Sequence, residues 1–208
     1  MIRVAVVDSG IDGNHPALRG RATVVRGPAF TVDGAVTAGG DDVLGHGTAV
    51  AATIVRFVER DDVELVGLRV FDREPVCDFT LVLQALRHAL SLRPALVNLS
   101  LGTTSLRHRR PLQELVDAAR AAGTRIVAPA SYGGLPCDPG NLAGVEAVVA
   151  DPNVLPMLPE LRRVGGRFVW FASPQPPPGA DGVRRLLARG DSLAVAAVTG
   201  CLLRSQPR

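Results

Sequence analysis

LVNLSL (residues 96–101) lies between two longer segments, 79–92 and 111–122, whose apolar residues recur at helical spacing. The run itself is short and mostly apolar, which reads as a buried strand. A strand with a helix on either side belongs inside a parallel sheet, because such connections lay helices over both faces. Working outward, the same alternation recurs. IRVAVV (2–7) is a short apolar strand, 48–59 has helical character, and 63–71 is again strand-like. Beyond the second helix, 125–130, 145–150 and 167–172 have strand character, and 190–200 reads as a turn entering a small-residue helix. The prediction is one α/β domain over residues 1–208, in three layers, with a largely parallel sheet and helices on both faces. SPQPPPGADG (173–182) is a loop of that domain, since 190–200 needs a surface to pack on. No internal repeat is found.

Composition narrows the function classes. A chain of 208 residues with 47% hydrophobic content can bury a sizeable core. No apolar run approaches the roughly 18 residues needed to cross a bilayer, so no membrane partner is expected. The chain enters its first strand without a basic segment and a long apolar stretch, so no signal peptide is expected. All basic residues are Arg and the net charge is +3. They are scattered, apart from Arg107, Arg109 and Arg110, and aromatics make up 4%, so nucleic acid has neither a basic stripe nor a stacking platform. Three cysteines, Cys77, Cys137 and Cys201, lack CxxC spacing. They argue against a zinc site or disulfide framework and for a reducing, cytoplasmic setting. With no oxygen-ligand loop recognisable, no metal or cofactor is expected.

Three residues could carry chemistry. Asp8 follows VAVV, where an open parallel sheet binds ligands beyond its strand ends. His46 sits in GHGT at a helix start, and Ser192 opens the last helix. Each has an ordinary explanation: a turn Asp, a satisfied loop His, a helix cap. Together, in the order Asp, His, Ser, they match one of the chain orders of a catalytic triad. Serine is a poor nucleophile at its own pKa. An imidazole must take its proton, and a carboxylate must fix the imidazole's tautomer.

Four stretches, VVDSGIDGNHPAL (6–18), GHGTAVAATI (45–54), VNLSLG (97–102) and GDSLAVAAVTG (190–200), resemble in order the Asp, His, substrate-cleft and Ser motifs of the subtilisin-like serine proteases, the subtilases. The resemblance implies that Asp8 orients, His46 is general base then acid, and Ser192 is the nucleophile. It also implies that Ser100, Leu101 and Gly102 line the S1 pocket and pair with an extended peptide or protein substrate by strand addition. Departures are visible. In IVAPASYGG (126–134) the family's oxyanion-donating Asn falls on Tyr132, preceded by Ser131. Asp191 stands where the family usually has Thr, placing a carboxylate beside the nucleophile. No inhibitory propeptide is expected before Asp8, and a chain shortened after the Ser helix is expected, with a second copy or a larger partner covering apolar surface there.

The expected activity is that of a small serine endopeptidase working through an acyl-enzyme. Minimal size suggests limited cleavage of a dedicated precursor, such as the leader of a ribosomally made peptide natural product. The alternatives are a non-hydrolysing subtilase fold that holds a peptide or serves in an assembly, and a peptide ligase or cyclase. RGD at 189–191 and the sequon at Asn98 are set aside, the first beside the nucleophile and the second in a buried strand. Cys137 is expected to be a buried small hydrophobe near the oxyanion loop.

Overall fold

Alternate residues of the first strand face opposite ways, and both faces are buried: Val4 and Val6 join one hydrophobic core, Ala5 and Val7 the other. That two-sided burial is why the strand reads as a continuous apolar run, and it fixes a three-layer architecture. The computed structural model describes residues 1–31, 36–177 and 190–207. In chain order the elements are β1 (Ile2–Asp8), β2 (Thr23–Phe30), β3 (Val36–Thr37), α1 (His46–Arg56), β4 (Val63–Arg69), α2 (Phe79–Ser91) and β5 (Leu96–Leu99). A 3₁₀ turn (Leu106–His108) then leads into α3 (Arg109–Ala121), β6 (Arg125–Pro129), the short β7 (Ser131–Tyr132) and β8 (Leu135–Pro136), and β9 (Val145–Ala150). The chain ends with β10 (Glu160–Val164), β11 (Arg167–Ala172) and α4 (Asp191–Arg204).

The main sheet runs β10-β11-β9-β6-β5-β1-β4-β2-β3. From β11 to β2 every neighbour pairs in parallel; β10 and β3 close the two edges antiparallel. Helices α1 and α4 cover the Val4/Val6 face, and α2 and α3 cover the other. The small residues of α4 let it lie close against α1. A Cβ on Gly200 would fall 2.6 Å from the Ile54 carbonyl oxygen, so only glycine permits that approach. β5 has β1 on one side and β6 on the other, and the carboxyl ends of these three strands form the floor of the site.

The expected strands and helices all form, with shifted ends. β5 stops at Leu99 rather than 101, so Ser100, Leu101 and Gly102 leave the ladder. Asn98, the sequon residue, is fully buried within β5. The features that escaped prediction are β2, whose ladder shifts register at Gly27-Pro28, the short β3 paired to it, the 3₁₀ turn before α3, the polar edge strand β10 and the β7–β8 hairpin. Part of the Pro-rich loop, residues 178–182, and Arg189 of the RGD tripeptide lie outside the described residues. Among the described residues no helix is long and apolar enough to cross a membrane.

Candidate active site

Asp8 ends β1 and is fully buried. Its Oδ1 accepts the Ser9 backbone N–H at 2.7 Å and lies 2.7 Å from His46 Nδ1. His46 is the first residue of α1, behind Gly45 in the left-handed region at φ 76°. The contact exists because the helix start presses onto the end of β1. A Cβ on Gly47 would lie 2.0 Å from the Gly10 carbonyl oxygen and 3.2 Å from Asp8 Cβ, which no other residue could tolerate. Glycine at 47 therefore sets the distance between imidazole and carboxylate.

Asp42 holds this junction together, and the sequence reading overlooked it. No side chain caps α1 from Gly45, so Asp42 does the work from the preceding loop. Its Oδ1 accepts the N–H groups of Leu44 (3.1 Å) and Gly45 (2.8 Å) and the Ser9 hydroxyl (2.7 Å). Its Oδ2 accepts the Thr48 N–H (2.8 Å) and the Thr48 hydroxyl. Ser9 Oγ in turn accepts the Gly47 N–H at 2.9 Å. A carboxylate at a helix N-terminus also meets the positive end of the helix dipole. The available signal was an acidic residue just ahead of a helix start, where side-chain oxygens cap.

These two carboxylates decide the basicity of His46. Burial alone would lower its pKa. The hydrogen bond to Asp8 and the charges of Asp8 and Asp42 outweigh burial and raise it above the ordinary value of 6.5. Asp42→Asn removes one of those charges and keeps the size. It should lower the His46 pKa and cut activity about tenfold to a hundredfold through a looser helix start. An NMR titration of His46 beside kinetics checks both, and an unshifted His46 with full activity would refute it.

Ser192 is the second residue of α4, and its hydroxyl donates to the Ser100 carbonyl at 3.2 Å. Among the described residues it makes no hydrogen bond to His46. A hydroxyl rotates to suit its acceptor, and catalytic bonds commonly form only once substrate is seated. A buried polar chain ties α4 to the same segment. Asn98 Nδ2 donates to Ser100 Oγ at 2.7 Å, and the Thr199 hydroxyl donates to Asn98 Oδ1 at 2.9 Å. Ser100 therefore lies beside Ser192, and Leu101 and Gly102 follow it in the chain.

Ser131 and Tyr132 form β7 directly after β6, and Tyr132 is 67% exposed. Asn141, farther along the same connection, is already committed: its amide donates to the carbonyls of Ala130 (2.6 Å) and Cys137 (2.8 Å). Asp191 has no hydrogen-bond or ion-pair partner among the described residues, and burial raises its carboxyl pKa. Cys137 is buried, as expected. Burial, then the charges of Asp191 and Asp138, pushes its thiol up to about 12, so it stays protonated and unreactive. Asp138 pairs with Arg109 through both carboxylate oxygens, at 3.1 and 3.0 Å.

Residues 1–134 match the model of the subtilase family. Subtilisin amylosacchariticus from Bacillus subtilis subsp. amylosacchariticus is 31% identical over 140 residues, 64% of this chain and 35% of that protein. The intracellular serine protease of Paenibacillus polymyxa is 29% identical over 113 residues, 49% of this chain and 33% of that protein. The chain spans about a third of the length of these relatives. A cold-adapted subtilisin-like serine proteinase superposes with a TM-score of 0.69 at 20% identity, covering 96% of this chain and 72% of that one. A lanthipeptide protease gives 0.69 at 22%, covering 96% and 71%. At these identities the superpositions speak for the fold. The family match takes in Asp8, His46, Ser100–Gly102 and Tyr132; Ser192 lies beyond it.

Proposed function

This chain belongs to the subtilase family, and from that premise we propose that it is a serine endopeptidase with Asp8, His46 and Ser192 as its triad. The observation that carries the reading is the 2.7 Å contact between the buried Asp8 carboxylate and His46 Nδ1, at the end of a strand paired with β5, whose continuation at Ser100 accepts the Ser192 hydroxyl at 3.2 Å. Asp8 holds the proton on Nδ1, which leaves Nε2 as the base. His46 Nε2 takes the Ser192 proton as Oγ bonds to the scissile carbonyl carbon. The oxyanion then accepts the Ser192 backbone N–H, which has no hydrogen-bond acceptor among the described residues, as befits the first turn of α4. The imidazolium returns its proton to the leaving amine as the C–N bond breaks. A water molecule, deprotonated by the same nitrogen, then releases the acyl group and restores the serine.

Because only neutral His46 accepts a proton, and its pKa is raised, activity should rise with pH through a midpoint above 6.5. Intact-mass spectrometry after incubation with a fluorophosphonate tests the assembly, with Ser192→Ala as control. One adduct on the wild type and none on the control is expected. A folded wild-type protein that takes up no adduct would overturn the triad. The finer proposal is limited cleavage of a dedicated precursor peptide in a reducing, cytoplasmic setting, for which the three free thiols speak. Equal degradation of unrelated extended peptides would sink it. The exposed Tyr132 favours a second reading, a subtilase fold that holds peptides without cutting them; absent labelling with retained peptide binding would select it.

A further inference from the structure

We propose that Cys137 sets the specificity of this cleft: its thiol fills the space between the segments that follow β5 and β6, so the substrate residue seated against Ser100–Gly102 must be small, namely Gly, Ala or Ser. The inference rests on the peptidase reading for its chemistry, but the shape of the cleft holds with or without hydrolysis.

Ser192 Oγ stands 3.2 Å from the Ser100 carbonyl, so a peptide carbonyl placed on that oxygen brings its own side chain against the segment Ser100 begins. One wall there is Gly102, and the facing wall is the end of β6 at Pro129 and Ala130. The Cys137 thiol spans the gap. Its Sγ lies 2.8 Å from where a Gly102 Cβ would be, and it donates to the Pro129 carbonyl at 3.2 Å. Only 2% of Cys137 is exposed, so it is packed into the protein rather than standing in open space.

The segment that carries the thiol cannot swing aside, because its backbone is fastened on both sides. The Cys137 N–H donates to the Ala130 carbonyl at 3.1 Å, and the Cys137 carbonyl accepts from the Asn141 side chain at 2.8 Å. Asp138 exchanges backbone hydrogen bonds with Thr103 at 2.8 and 2.9 Å, which locks the segment to the stretch that follows β5. At Gly140 a Cβ would fall 2.0 Å from the Pro129 carbonyl oxygen, so the chain also lies flat on β6. A large side chain would have to displace a packed wall, and pockets discriminate strongly when the extra volume has nowhere to go.

Two readouts test this on the full chain. Peptidyl phosphonates ending in Ala, Leu or Phe are compared for their rate of labelling Ser192, beside a plain alkyl fluorophosphonate. Fluorescein-labelled peptides ending in the same residues are titrated by polarisation against the Ser192→Ala protein. Ala should lead Leu and Phe by at least about tenfold in both. Cys137→Ala and Cys137→Gly should erase or reverse the preference. Leu or Phe equal to Ala on the unaltered cleft overturns the proposal, and that comparison needs no variant at position 137. An Ala/Phe ratio unmoved in folded Cys137→Gly overturns it too, as does failure of every peptide to bind. If even the plain fluorophosphonate leaves Ser192 unlabelled, the peptidase reading falls, and the binding series alone decides the cleft.

Discussion

Asp8→Asn is expected to lower turnover by about 10⁴-fold while the fold stays in place, the size seen when a triad carboxylate becomes an amide. The substitution keeps the shape of a fully buried side chain, so packing around the end of β1 should survive. What changes is the proton inventory. If the amide oxygen keeps the place of Oδ1, it still accepts from Ser9 and His46, but its NH₂ takes the place of Oδ2, which has no hydrogen-bond partner. A buried donor left unpaired costs about 1–3 kcal/mol. If the amide flips, its NH₂ donates to Nδ1 and forces the imidazole proton onto Nε2, the nitrogen that must accept from Ser192. Either arrangement also removes the charge that stabilises the imidazolium. Peptide hydrolysis and the rate of fluorophosphonate labelling, beside a thermal melt, would show it. Activity within tenfold of wild type in a folded variant would mean Asp8 is not the orienting group.

The same substitution has a pH signature. In the folded wild type the His46 pKa is raised, so the native state holds this proton more tightly than the unfolded chain does. The stabilisation it provides is complete below the unfolded value near 6.5 and is lost as pH rises through the folded pKa. Activity runs the other way, since it needs the neutral imidazole. The working pH range is therefore the one in which this contribution to stability has gone. In Asp8→Asn burial would prevail, moving the His46 midpoint down and shrinking both effects.

Whatever depends on local pattern was legible before the structure. The apolar run at Val4–Val7, buried on both sides, implied a parallel sheet, and His46 and Ser192 were marked by small residues at helix starts. Asp42 was not legible in the same way. Its five acceptor contacts join a loop, a helix start and Ser9, and only the closing of that loop onto β1 brings them together. β2 was hidden because Gly27-Pro28 interrupts its alternation and shifts its register. β10, ELRRV, is a polar edge strand whose pairing comes wholly from β11. Cys137 could be read as buried, yet its contacts with Gly102 and Pro129 are set by the fold and not by local pattern.

Tyr132→Asn should raise turnover by roughly 10²-fold, the low end of the 10²–10³ that one oxyanion donor is worth, a figure measured on subtilisin itself. The argument is one of unfilled capacity. Of the two donors this chemistry needs, the proposed mechanism has one, the Ser192 backbone N–H. Tyr132, two-thirds exposed in the β7–β8 hairpin, is the residue on which the resemblance puts the family's amide position. The Asn141 amide, on the same connection, cannot substitute, because it is held by the carbonyls of Ala130 and Cys137. Asp191 is expected to work against the oxyanion when ionised, since it precedes Ser192 with no cation paired to it among the described residues. Burial raises its pKa, so the penalty should ease toward acid pH, where His46 is losing its power to accept a proton. The wild-type enzyme is thus expected to be slow at every pH, and a second donor is the remedy that does not depend on protonation. Pre-steady-state acylation rates for the two proteins would decide it. A gain confined to acylation and deacylation, with KM unchanged, marks a donor that acts in the transition state. No gain, or a loss, would mean that the tyrosine hydroxyl already reaches the oxyanion, and that its exposure is a feature of the resting cleft.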